Sequence, residues 1–305
     1  MRITNSMIIN NMMYNMGNNL SRLDRIQQQL STGKKITTPS DDPIVASRAL
    51  EMRTNVSETQ QYEKNVEDAS SWMDITETTL QNMGEVLQRA RELAVQGANG
   101  ALSSEDTSAI STEIEQLKQQ LVQLSNTTYA GRYIFSGFKT DQPLVDDSTG
   151  LYNIEVVSAA PNREDIKYEI GIGDKINVNV LGSEVLGGTG TAGSAPQMLQ
   201  DFDDYITALS NNDNTGIKTA ISNIDKNISN ILMQRADIGA RTNRLDLTKN
   251  RLAADETNFT KLLSLNEDVD MAEAIMQLKS EENVYNASLS AGAKVIQPSL
   301  VDFLS

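Results

Sequence analysis

The placement of proline is the feature that most limits what this chain can fold into. No proline occurs from Ile44 to Gln142, or from Gln197 to Gln297. Because a proline inside a helix removes a hydrogen bond and clashes with the preceding turn, two such windows of about a hundred residues permit very long helices. Nine of the 18 glycines fall within 137–193, from the end of the first window to just before the second. The sequence therefore predicts helix, then a turn-rich insert, then helix.

The second proline-free window carries a heptad stripe, in which apolar residues recur at alternating spacings of four and three. Ten of its fourteen positions over 47 residues are apolar: Ile217, Ile221, Ile224, Ile228, Ile231, Ile238, Leu245, Leu252, Phe259 and Leu263. The other four positions hold Arg235, Thr242, Lys249 and Glu256. At ~1.5 Å per residue such a helix is about 70 Å long. It therefore needs another long helix to cover its stripe.

The first window supplies two candidates for that partner. One stripe with the same spacing runs from Ile110 to Leu124 and follows Ser103, a residue type that caps helix N-termini. Between Asp41 and Gln96 two neighbouring stripes indicate a helix with two partners; they are Val66, Met73, Leu80, Leu87 and Ala94, and Trp72, Met83, Val86, Ala90 and Leu93. We expect long helices over 44–135 and 197–263, with a glycine-containing break after residue 96.

The insert between the helical windows alternates apolar and polar residues with a period of two. Three runs show this pattern: Tyr152 to Val156, Ile166 to Ile172 and Ile176 to Val180, with turn-forming residues between or beside them. The stretch 187–195 is predicted as the returning linker, and Pro196 as the first position of the next helix. The predicted fold is mainly α, with long antiparallel heptad helices in a coiled-coil-like bundle and an inserted small antiparallel β domain.

The two ends of the chain form a third element of the prediction. Narrow apolar stripes recur in both, and the residues that we expect to mediate assembly there are Leu20, Leu23, Ile26, Leu30, Ile275, Leu278, Tyr285, Leu289, Ile296, Leu300 and Phe303. Residues 1–40 carry a net charge of +4 and residues 264–305 one of −5, so the ends are electrostatically complementary. Because such narrow helices are marginal alone, we expect them to fold on partners; an antiparallel pair within one chain is the alternative.

Composition removes most catalytic chemistry. The chain has no Cys and no His, so thiolate nucleophiles, imidazole bases and the usual zinc ligands are absent, and no cofactor or metal site is predicted. A G-x-G-x-x-G pattern at Gly188–Gly193 lies in the linker rather than after a core strand, and Asp201, Asp203 and Asp204 read as the first turn of a helix. The net charge of −15 disfavours nucleic acid and anionic membranes. We predict a structural protein without enzymatic activity.

Several segments together resemble the flagellin superfamily. They are QLSTGKKITTPSDDP (29–43), RELAVQGANGALSSED (91–106), GRYIFSG (131–137), GARTNRLD (239–246) and the long segment 268–304. The resemblance covers nearly everything outside the insert. The opening Met1-Arg2-Ile3-Thr4, the Pro39–Pro43 motif and the Pro298-Ser299-Leu300 ending are more similar to the hook–filament junction branch than to filament flagellins.

The resemblance implies a role outside the cell, in the flagellum where hook meets filament. It implies export through the flagellar type III apparatus without a cleaved signal peptide, and a cytoplasmic export chaperone at the C-terminal segment. Its implied partners are the first hook-associated protein on the hook side, flagellin on the filament side and further copies of this chain in a ring. A minor filament flagellin is the alternative, followed by a type III secreted helical tip protein.

Three domains follow from this interpretation. Segments 1–43 and 264–305 form a terminal coiled-coil assembly domain, 44–137 and 196–263 a long-helix bundle, and 138–195 an outward-facing β insert.

Overall fold

The computed structural model describes residues 5–98, 103–159 and 161–295. Its helices are α1 (Asn5–Thr32), α2 (Pro43–Gly97), α3 (Ser104–Ser125), α4 (Gly182–Leu186), α5 (Gln197–Ser210), α6 (Asn214–Glu267) and α7 (Met271–Val295). Its strands are β1 (Thr128–Tyr129), β2 (Arg132–Tyr133), β3 (Lys167–Gly171) and β4 (Asp174–Asn177). The predicted class, mainly α with a small antiparallel β insert, is confirmed.

The chain divides into two compact units. The first comprises Met1–Glu58 and Ala254–Ser305, and the second comprises Thr59–Ala253. The division falls inside α2 and α6, so each of these helices contributes to both units. The three-domain division drawn from the sequence stays a prediction.

In the second unit, α2 and α6 lie antiparallel, with both α2 stripes and six of the ten apolar residues of the α6 stripe buried. Every seventh residue of α6 from Ile224 to Leu252 is at most 5% exposed, and the α2 stripe from Val66 to Ala94 is at most 1% exposed. The antiparallel direction is visible in the ion pairs, because residue numbers rise along α2 as they fall along α6. Glu67 Oε1 lies 3.0 Å from Lys249 Nζ, whereas Arg91 Nε lies 2.6 Å from Asp225 Oδ1.

Polar positions within the α6 stripe face partners on α2. Arg235 Nε donates to Glu77 Oε1 at 2.9 Å, and Lys249 donates to Glu67. The hydrogen bond to Glu67 raises the pKa of Lys249. Two of the four gaps in the heptad pattern therefore hold cations that pair across the helices, which favours one register over a slide by one turn.

Helix α3 begins where the sequence predicted. Asp106 N donates to Ser103 Oγ at 3.2 Å, and the Asp106 carboxylate accepts from Ser103 N at 3.2 Å, which completes a capping box. The helix ends at Ser125 rather than near residue 135, because β1 and β2 follow as a short hairpin with Ala130 and Gly131 at positive φ. Pro196 is the cap of α5 and not its first residue.

The insert has fewer strands than its period-two runs suggested. Strands β3 and β4 pair antiparallel with Lys167 opposite Asn177. The run from Tyr152 to Val156 forms no strand; its backbone bonds instead to the linker, where Gly193 N donates to Tyr152 O at 2.7 Å and Val156 N donates to Gly190 O at 2.8 Å. The glycine-rich motif Gly188–Gly193 is therefore hydrogen-bonded to the Tyr152–Val156 segment, which has no regular secondary structure. Burial raises the pKa of Tyr152, whose hydroxyl donates to Gly187 O at 2.7 Å.

Candidate interface on the terminal helices

In the first unit, α1 and α7 form an antiparallel pair within one chain. Asn19 Nδ2 donates to Ser288 Oγ at 3.0 Å, and Arg22 Nε lies 3.5 Å from Glu281 Oε2. The end of the Met12 side chain occupies the space that a Cβ at residue 292 would take, so the two helices are in contact at this point. The expectation that the ends fold only on partners gives way to the alternative, because these contacts are satisfied internally.

The segments that follow α1 and α6 are joined by backbone hydrogen bonds. Lys35 N donates to Glu267 O at 2.7 Å, and Val269 N donates to Gly33 O at 2.9 Å. Gly33 adopts a φ of 70°, a conformation that glycine reaches without steric cost. This connection fixes where α7 turns back along α1.

A buried carboxylate stands at the same connection. The Glu267 side chain is 3% exposed and lies between two cations. Arg53 Nε donates a hydrogen bond to its carboxylate at 3.2 Å, and Lys34 Nζ lies 3.5 Å from it. Lys34 also donates to Asp268 at 2.7 Å. That hydrogen bond raises the pKa of Lys34 and holds the pKa of Asp268 below its usual range. The charge complementarity predicted for the two ends is therefore used inside the chain.

The Pro39–Pro43 motif sets the start of α2. Asp41 accepts from the backbone N–H groups of Thr38 at 2.8 Å and Thr37 at 3.1 Å, and these bonds lower its pKa. Asp42 accepts from the N–H groups of Ile44 and Val45, the first free donors of the helix. Asp41 therefore stabilises the turn before α2, and Asp42 caps the N-terminus of the helix.

The predicted interface residues divide by exposure. Ile26 on α1 is buried, with 5% of its surface exposed, and four more are half-buried: Leu23, Leu30, Leu278 and Tyr285. Leu20 is 50% exposed, Ile275 49% and Leu289 42%. Ile296, Leu300 and Phe303 lie outside the described residues. The structure thus separates side chains that hold α1 to α7 from side chains that remain open to a neighbour.

Sequence reasoning missed much of the exposed apolar surface of the first unit. On α1 and α7 it also includes Met7, Ile8, Tyr14, Met271, Met276 and Val284, and near the ends of α2 and α6 it includes Ile44, Leu50, Leu262 and Leu265. A single heptad frame detects one face of a helix. The recurrence of apolar residues in a second frame, such as Met7 and Tyr14 seven apart, was the available signal.

No group of three acidic side chains in the described ranges is placed to hold a metal ion. Among the same residues, no helix combines the length and apolar content that a membrane span requires.

Comparison with known proteins matches both ends of the chain to one family. Residues 3–140 match the profile of the bacterial flagellin N-terminal helical region, and residues 221–304 match that of the bacterial flagellin C-terminal helical region. Together the two matches cover well over half of the chain, including α1, α2 and α7.

Individual relatives agree with this match over almost their full lengths. The chain is 28% identical to flagellar hook-associated protein 3 of Escherichia coli over 94% of this chain and 96% of that protein. It is also 28% identical to flagellin of Bacillus subtilis, over 97% of each. The crystal structure of Bacillus cereus FlgL shares the fold, with a TM-score of 0.57 at 23% identity over 70% of this chain and 99% of the other. The chain therefore belongs to the bacterial flagellin family.

Proposed function

We propose that this chain is a structural subunit of the hook–filament junction of the flagellum and that it polymerises through α1 and α7. The observation that carries the proposal is the exposed apolar surface on these two helices, which stays open after they have paired with each other. Large exposed apolar surface on a soluble protein marks an interaction site. The family to which the chain belongs, and the hook-associated relatives that it resembles, supply the setting.

The energetics favour assembly by burial of this surface. Leu20, Ile275 and Leu289 each keep about half of their surface exposed, so covering each would contribute ~1 kcal/mol. Because α1 and α7 are already helical and paired, joining a neighbour costs less conformational entropy than folding two free ends would. Pre-organised helices with an open apolar side suit a subunit that is added one at a time.

The proposal includes the partners and route that the family resemblance implies. The partners are the first hook-associated protein, flagellin and further copies of this chain in a ring. Export through the type III apparatus without a cleaved signal, with a chaperone at the C-terminal segment that holds Ile296, Leu300 and Phe303, completes the route to the outside. We propose no enzymatic activity, because the relatives are flagellin-family structural proteins.

A minor filament flagellin is the second candidate, since flagellin of Bacillus subtilis is as similar to this chain as the hook-associated relative is. Immunogold labelling of intact flagella, with antibody against the 138–195 insert, separates the two. We expect a single labelled band where hook meets filament. Label along the whole filament would overturn the junction role and leave the assembly surface in place.

A further inference from the structure

Methionines are concentrated on the exposed surface of the terminal helices. Five methionines among the described residues have exposed side chains, and four of these lie on α1 and α7: Met7, Met13, Met271 and Met276. Their exposed fractions run from 48% to 67%. The fifth, Met233, lies on α6 in the second unit and is 62% exposed. The apolar surface proposed for assembly is therefore rich in accessible thioethers.

Together with Met233, these thioethers are the most readily oxidised exposed groups among the described residues. The sequence has no Cys, and its single Trp, Trp72, is only 5% exposed. Hydrogen peroxide transfers one oxygen atom to the methionine sulfur: an S–O bond forms, the O–O bond breaks, sulfur loses two electrons and water leaves. The product, methionine sulfoxide, is a polar side chain of similar length.

We propose that oxidation of Met7, Met13, Met271 and Met276 is a modification that prevents the free subunit from joining the flagellum. This inference rests on the proposed function. A sulfoxide buried at an interface without a hydrogen-bond donor opposes association, whereas the thioether it replaces favours it. Because the same side chains become covered on assembly, the modification acts before joining, and the assembled subunit is protected.

The test compares the full-length chain with two variants that keep apolar volume but cannot be oxidised at the substituted sites. One carries Met7→Leu, Met13→Leu, Met271→Leu and Met276→Leu together; the matched control carries Met233→Leu. Each protein is treated with hydrogen peroxide, and peptide mass spectrometry confirms the sites oxidised. Binding is measured by co-sedimentation with hooks isolated from cells that lack this chain.

We expect peroxide to raise the concentration needed for half-maximal binding by about tenfold or more in the wild type and in the Met233 control. The fourfold variant should bind equally with and without treatment. Equal loss in the fourfold variant, or unchanged binding of a wild type oxidised at all four sites, would overturn the inference. Loss of helical circular dichroism in the oxidised wild type would also overturn it, since the effect would then come through the fold.

Failure of the proposed function gives a different result. If the untreated wild type does not bind hooks at all, the junction role fails and the inference falls with it. A second measurement keeps the two separate where binding occurs: the four thioethers should oxidise about tenfold more slowly in isolated flagella than in the free chain. Equal oxidation rates would show that assembly does not cover them.

Discussion

Glu267 illustrates how single residues fix the connection between the helices of the first unit. Its carboxylate is almost fully removed from water, while Arg53 and Lys34 on either side keep 55% and 39% of their side chains exposed. A buried charge is stable only where partners offset its desolvation. The sequence showed acids near the C-terminus and bases near the N-terminus, but not which acid would be buried, because that depends on the tertiary pairing of distant segments.

Replacing Glu267 should cost more than replacing an exposed acid of the same unit. Glu267→Ala removes the shared partner of two cations, which can return to water, so we expect the free energy of unfolding to fall by ~1–2 kcal/mol. Glu282→Ala breaks an exposed pair with Lys279 and should cost at most ~0.5 kcal/mol. Urea unfolding followed by circular dichroism measures both. Equal effects would contradict the role assigned to Glu267.

The Lys34–Asp268 pair makes stability depend on pH in a defined direction. Because the pKa of Asp268 is lower in the folded state, its ionised carboxylate stabilises the fold at pH values above its ordinary pKa of 3.8. This contribution is lost as the pH falls through the lowered pKa. Because the pKa of Lys34 is higher in the folded state, its charged ammonium stabilises the fold at pH values below its ordinary pKa of 10.5. This contribution is lost as the pH rises through the raised pKa. Asp268→Asn should therefore be less stable than the wild type at neutral pH.

Urea titrations between about pH 3 and pH 11 test this dependence. The difference in unfolding free energy between the wild type and Asp268→Asn should shrink toward both ends of this pH range. In a chain that also carries Lys34→Gln, most of the difference should be absent at every pH. A difference that is constant across pH would show that the pair contributes through packing and not through charge.

At the scale of elements, the long helices were predictable and the insert was only partly so. The two α2 stripes and six of the ten apolar residues of the α6 stripe are buried, because a heptad pattern sustained over many turns has one favourable solution. The Tyr152–Val156 run is equally apolar and also buried, but it bonds to the linker rather than to a strand. Period-two alternation reports burial of alternate side chains, and it does not identify the backbone that supplies the hydrogen bonds.

Within α1, residues that hold α7 should be distinguishable from residues that face outward. Ile26→Ala removes a buried side chain and should cost ~2–3 kcal/mol in the stability of the helix pair, whereas Leu20→Ala should cost ~0.5 kcal/mol or less. Hydrogen exchange of α1 and α7 peptides reports this directly, because local opening accelerates exchange. Faster exchange in the Leu20 variant than in the Ile26 variant would mean that Leu20, and not Ile26, holds α7.

At the scale of the whole molecule, the main hydrophobic core lies entirely between Val66 and Leu252, within the second unit. The terminal helices belong to the first unit and carry a narrower packed seam. The sequence located both terminal stripes but left open whether they pair within one chain or with another chain, because narrow amphipathic helices fit either partner equally well. Met7, Met271 and Met276 were not predicted, because they lie outside the heptad frames followed in the two ends.

Removing residues 264–305 should separate assembly from folding. Because the core of the second unit contains no residue from this segment, its thermal transition by calorimetry should stay within about 5 °C of the full-length value. Cells that produce only the truncated chain should build hooks without attached filaments. Normal motility, or loss of the core transition, would contradict this separation.

We propose that the open side of α1 and α7 joins this subunit to its neighbours, and Leu289→Asp places a charge on that side. Leu289 is 42% exposed, so a charge there should leave the melting curve of the free chain nearly unchanged. The matched control is Ile172→Asp, the same kind of change at a side chain that is 89% exposed on the hairpin between β3 and β4. Electron microscopy of flagella from cells producing each variant should show bare hooks for Leu289→Asp and normal filaments for Ile172→Asp. Normal filaments on the Leu289→Asp cells would show that assembly does not use the open side of α1 and α7.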